Sequence, residues 1–115
     1  MKLDPNKLEE IIENTLNIAH DMISKSEHYR VSKEPMASVI IVLRFLKGEL
    51  KRDPNNINKR VLRAMHDIGA TAVKVFENTP LDDGIEEVTG YLYQHLKGYK
   101  ELEPLRMDFG KGKPI

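Results

Sequence analysis

Apolar side chains recur at every third or fourth position along most of this chain, with polar ones filling the gaps. Leu8, Ile11, Ile12, Thr15, Leu16, Ala19, Met22 and Ile23 make one such stripe, and Glu9, Glu10, Glu13, Asn17 and Asp21 face away from it. That is the pattern of a helix with one buried face. Asp4 followed by Pro5 opens it, because the carboxylate can accept from free amides and a proline at the first position has no amide to lose. Over residues 26–34 the period lapses. A second helix begins at Pro35, with Ser32 or Glu34 as its cap, and ends near Lys51. Met36, Val39, Ile40, Ile41, Val42, Leu43, Phe45, Leu46 and Leu50 cover almost its whole circumference. This predicts burial on several sides or an apolar face offered to a second chain. The β-branched run 39–43 taken alone fits a buried strand, but its flanks favour the helix.

The opening repeats at Asp53-Pro54-Asn55-Asn56, after which Ile57, Val61, Leu62, Met65, Ile68, Gly69, Ala72, Val73 and Phe76 predict a third helix ending near Asn78. Thr79-Pro80-Leu81-Asp82 then reads as a capping threonine, a first-position proline and an acidic residue three along, close to a capping box. Leu81, Ile85, Val88, Leu92, His95, Leu96, Tyr99 and Leu102 give the fourth helix its stripe, and Pro104 stops it. Gly90 and Gly98 within it suggest close packing against a neighbour. Leu105, Met107 and Phe109 alternate beyond the stop, predicting an extended C-terminal tail partly docked in a groove. Four helices with short connections imply antiparallel neighbours. The expected fold is all-α, a four-helix bundle or two packed helical hairpins, with a single domain over residues 1–103 and a tail over 104–115.

Composition removes whole classes of chemistry. The 115 residues contain no cysteine, so disulfides, thiolate zinc sites, iron-sulfur clusters and cysteine nucleophiles are absent, and a reducing cytoplasm fits. Residues 1–10 are charged rather than apolar, so no export signal is expected. The run 39–43 falls far short of the roughly 20 apolar residues that span a bilayer. Lys plus Arg equals Asp plus Glu at 18 each, but the charge is uneven. Residues 31–66 carry eight basic and three acidic side chains, and residues 67–103 carry three basic and eight acidic.

Three constellations have chemical interest. The His-Asp pairs at His20 and Asp21 and at His66 and Asp67 resemble the metal-binding dipeptides of helical metal-dependent phosphohydrolases, which would make His20 and His66 metal ligands. Glu9, Glu10 and Glu13 with Asp82, Asp83, Glu86 and Glu87 are of the type that helical nucleotide pyrophosphohydrolases gather around magnesium, but here most of them lie opposite the apolar stripes. Lys51, Arg52 and Arg60 lead a basic group near the second connection that could contact nucleic-acid phosphates, although no aromatic side chain is interleaved for stacking. No glycine-rich phosphate loop, nucleophile elbow or dinucleotide fingerprint is present, and no cofactor is expected.

The reading that remains is a non-enzymatic protein-binding module. By size and composition the chain resembles the small helical proteins that neutralise bacterial toxins, the immunity proteins and antitoxins. The resemblance implies occlusion of a basic protein partner by an acidic and aromatic surface of Asp82, Asp83, Glu86, Glu87, Tyr91 and Tyr93. The apolar excess of the second helix predicts a homodimer through that element. A metal-dependent phosphohydrolase and a basic nucleic-acid-binding domain stay open as alternatives.

Overall fold

The computed structural model describes residues 3–105, the Val73 side chain excepted. The chain runs through α1 (Pro5–Ser24), a single turn α2 (Ser26–Tyr29), α3 (Lys33–Arg52), α4 (Lys59–Val75) and α5 (Pro80–His95), and ends on a 3-10 turn at Tyr99–Glu101. No strand occurs among the described residues, and the β-branched run 39–43 lies in the middle of α3. The long helices form a ring in which α1 and α4 each pack against both α3 and α5. Cross-helix partners run in opposite senses: Glu9 and Glu13 meet Lys51 and Lys47, Thr15 and Asp4 meet Gly84 and Tyr91, and Gly69 and His66 meet Thr89 and Tyr93. Neighbours are therefore antiparallel, giving the expected bundle of two helical hairpins.

The apolar stripes meet in one cluster. Leu8, Ile12, Met22, Met36, Leu43, Leu46, Met65, Ile68, Phe76, Leu81, Ile85 and Leu92 are fully buried in it, each such side chain stabilising the fold by about 2 kcal/mol relative to exposure. No helix among the described residues is long and apolar enough to cross a membrane.

The helix ends show where local signals give way to their surroundings. Asp4 caps α1 as expected, accepting from the amides of Asn6 at 3.0 Å and Lys7 at 3.4 Å. Asp53-Pro54 does not start a helix. The Asp53 carboxylate accepts from the Asn55 amide and folds residues 53–56 into a turn, and α4 begins later, where Asn58 caps the Arg60 amide at 2.8 Å. Thr79 precedes α5 but forms no capping box, because its hydroxyl donates back to the Phe76 carbonyl at 2.7 Å. The fourth stripe also does not continue unbroken to Leu102: α5 ends at His95, Gly98 takes φ 87°, and the chain reverses to bury Tyr99. Of the predicted tail only Pro104 and Leu105 fall within the described residues.

Close helix packing rests on other glycines than the two that the stripe suggested. A Cβ at Gly90 or Gly98 would meet nothing within 4 Å. One at Gly84 would stand 3.0 Å from both Cγ2 and Oγ1 of Thr15 on α1, and one at Gly69 would stand 2.8 Å from Cγ2 of Thr89 on α5. Thr15 cannot retreat, since its hydroxyl donates to the Ile11 carbonyl at 2.9 Å and lies 3.2 Å from that of Gly84. Gly84→Ala should therefore destabilise the protein by about 1–2 kcal/mol net of the helix propensity it gains. Gly90→Ala, facing open space, should stabilise it by up to about 1 kcal/mol. Urea unfolding followed by circular dichroism checks both signs, and a neutral Gly84→Ala would show that this approach is not a constraint.

Candidate protein-binding surface

Pro80 at the start of α5 and Thr15 and Gly69 beneath it fix how this helix is rotated. Leu81, Gly84, Ile85, Val88, Thr89 and Leu92 face inward. At about 100° per residue, Asp83, Glu86 and Glu87 then share roughly 100° of outward arc with Gly90 and Gln94, and Asp82 lies at its edge. Asp83, Glu86 and Glu87 are exposed and Asp82 is half-buried. Among the described residues none of these four carboxylates has an ion-pair partner. The basic group of α3 and α4 thus does not neutralise α5 within the monomer.

Tyr91 and Tyr93 flank this face on opposite sides, being two residues apart on a helix. Tyr91 turns toward α1, where its hydroxyl accepts from the Asp4 amide at 3.1 Å and lies 3.3 Å from the Asp4 carbonyl, while the His95 ring packs on it with centroids 4.3 Å apart. Tyr93 turns toward α4. Its hydroxyl lies 3.2 Å from Nε2 of His66, and its ring meets Tyr99 edge-on with centroids 5.0 Å apart. Both hydroxyls are thus engaged inside the molecule, and the exposed part of the Tyr93 ring is what the surface offers an aromatic contact. Tyr99 completes this cluster. Burial, and secondarily the neighbouring Tyr93 phenol, push its own phenol well above the usual range.

The two proposed metal ligands lie on different seams. His20 is exposed on α1, with Nε2 3.4 Å from the Arg44 guanidinium of α3, whereas His66 sits between α4 and α5 against Tyr93 and Tyr99. The structure does not bring them together, and among the described residues no group of three or more His, Cys, Asp or Glu side chains is arranged to hold a metal ion. Glu9, Glu10 and Glu13 do not converge with the α5 carboxylates either. They pair with Lys51, Lys7 and Lys47.

The basic group is also partly engaged. Lys51 faces Glu9 at 3.8 Å, and Arg52 is clamped between Glu49 at 2.7 Å and the Asn56 carbonyl at 2.6 Å. The Glu49 carboxylate also accepts from the Asn58 amide at 2.7 Å, so this pair holds the connection from α3 to α4 in place. Arg60 lines a groove of about 390 Å³ between those helices, together with Val42, Phe45, Val61, Ala64 and Leu105. Phe45 is 62% exposed beside it, and Ile41, one turn away on α3, is 53% exposed. These two account for the apolar excess of the second predicted helix; its other large apolar side chains are buried.

Hydrogen bonding from Arg52, then from the Asn58 amide, holds the Glu49 carboxyl below the usual carboxylate range. Its folded-state ionisation lies below the unfolded one, so its contribution is present above the unfolded value and is lost as pH falls through the folded one. Wild type should accordingly be more stable than Glu49→Gln near neutral pH, and urea midpoints should show the difference closing as pH falls through and below the usual carboxylate range. No known protein family, curated protein or solved structure matches this chain, so its surfaces are read from their own residues.

Proposed function

We propose that this protein is a non-enzymatic binding module that captures a basic protein partner on the outward face of α5. The observation that carries the reading is the row of carboxylates on that face, none ion-paired among the described residues while five acidic side chains elsewhere are. Like charges gathered on one rigid helix repel each other, and a cationic surface laid across them removes that repulsion and steers the encounter. Asp83, Glu86 and Glu87 supply the charge, Asp82 extends it, and Tyr93 adds an aromatic edge. Tyr91 acts from behind, tying α5 to the start of α1. Occlusion needs no reacting group, in keeping with the resemblance to toxin-neutralising proteins of the cytoplasm.

Capture from a lysate of the native host should retain a basic protein. The double variant Asp83→Lys, Glu87→Lys should weaken that capture by roughly tenfold or more, with a matching loss of salt sensitivity. Unchanged affinity would remove this face from consideration.

The same reading includes a homodimer through α3. Ile41 and Phe45 stand one turn apart and exposed, beside an apolar groove that a second copy can fill in the same way. Light scattering should give twice the chain mass for wild type and a single mass for Phe45→Glu; a monomeric wild type at working concentration refutes the dimer.

A further inference from the structure

The seam between α1 and α3 is laid out in rungs. Glu9 faces Lys51, Glu13 faces Lys47, and at the third rung the acidic position is taken by His20, which faces Arg44. A guanidinium only donates, so this contact requires His20 Nε2 to accept, and Arg44 has no carboxylate partner among the described residues. The rung is also open. A cleft of about 370 Å³ lies there between the helices, with the Asn17 amide on one wall and Gly48 on the other, where a Cβ would meet nothing within 4 Å.

We propose that this cleft binds a single phosphate group, as inorganic phosphate or a small phosphate monoester. Arg44 supplies a fork of donors that matches two phosphate oxygens. Asn17 and His20 present further donors from α1, while Lys47 and Lys51 on the same face of α3 already face Glu13 and Glu9, so Arg44 is the cation that the anion would meet. The anion gives Arg44 the negative partner that the first two rungs already have. Glu13, paired with Lys47, lines one end of the cleft, and Glu9 continues the acidic row beyond it, so a long polyanion is repelled and the site suits one compact anion held at the Arg44 end.

The test uses the full chain and inorganic phosphate, titrated at constant ionic strength against sodium chloride, with the His20 imidazole followed by nuclear magnetic resonance. The expected result is a saturable shift of His20 in phosphate that chloride does not produce, weakened at least about tenfold by Arg44→Gln. Gly48→Glu adds a carboxylate at the cleft from a position where a Cβ would meet nothing within 4 Å, and it removes a helical glycine, so it should abolish the shift while keeping the thermal midpoint at or above that of wild type. A non-saturating shift, an equal response to chloride, or a response unaffected by either variant overturns the proposal. Tighter binding of a short DNA duplex than of phosphate, lost in Arg44→Gln, would also overturn it in favour of a nucleic-acid site.

Discussion

The arrangement depends on how closely the α5 backbone approaches its two neighbours. On one side Gly84 lets α5 approach Thr15 of α1 so closely that a Cβ would stand only 3.0 Å from the threonine side chain, and on the other Gly69 of α4 receives the methyl group of Thr89. β-branched threonine has few rotamers, and both hydroxyls are turned back onto carbonyls of their own helices. Two such contacts on different flanks fix the rotation of α5 as well as its distance. Rotation decides which residues face outward. A turn of the helix by one residue position, about 100°, would carry Glu86 toward the core and bring buried apolar side chains into water.

The charges divide according to the packing beneath them. Along α1 and α3 the outer edges of two tightly packed helices run side by side, so acidic positions on one come within reach of basic positions on the other. At the α3 to α4 connection Glu49 and Arg52 bond to backbone groups of the turn as well as to each other, and their charges serve to close the chain. Among the described residues no lysine or arginine forms an ion pair with the outward face of α5. Exposed ion pairs contribute little to stability, commonly below about 1 kcal/mol, so leaving these carboxylates unpaired costs the fold little and keeps them available.

The helices, their antiparallel order and most of the core were legible because each rests on a period that burial enforces. The misread points all involve a residue with two possible partners. Asp53 has the chemistry of a cap, but the amide nearest to it belongs to a turn. Thr79 can accept from α5 or donate to Phe76, and the left-handed Asn78 before it favours the second. Gly90 and Gly98 stood out as helix-weakening residues, yet Gly69 and Gly84, equally visible, are the ones that face a neighbour, and that depends on crossing points no single stripe reveals. Tyr91 and Tyr93 looked like one aromatic patch because a single residue separates them in sequence, although positions two apart on a helix point away from each other. The rung of His20 and Arg44 had a signal in principle: Glu9, Glu13 and His20 follow one face of α1 at spacings of four and seven, while Lys51, Lys47 and Arg44 follow one face of α3. Seeing it required the register between the two helices.

Placing the two outward-facing features in the ring shows how they can coexist. The exposed pair Ile41 and Phe45 belongs to α3, and the unpaired carboxylates belong to α5. Each of these helices packs against α1 and α4, which sets them at opposite corners of the bundle. A dimer formed through α3 therefore leaves both acidic faces directed away from the two-fold axis. Such a dimer can hold two copies of a basic partner without steric conflict, or grip a partner with two basic sites far more strongly than either site alone would allow. Burying Ile41 and Phe45 in such a dimer would also remove exposed apolar surface that draws no benefit from charge, leaving the proposed recognition to the carboxylates of α5.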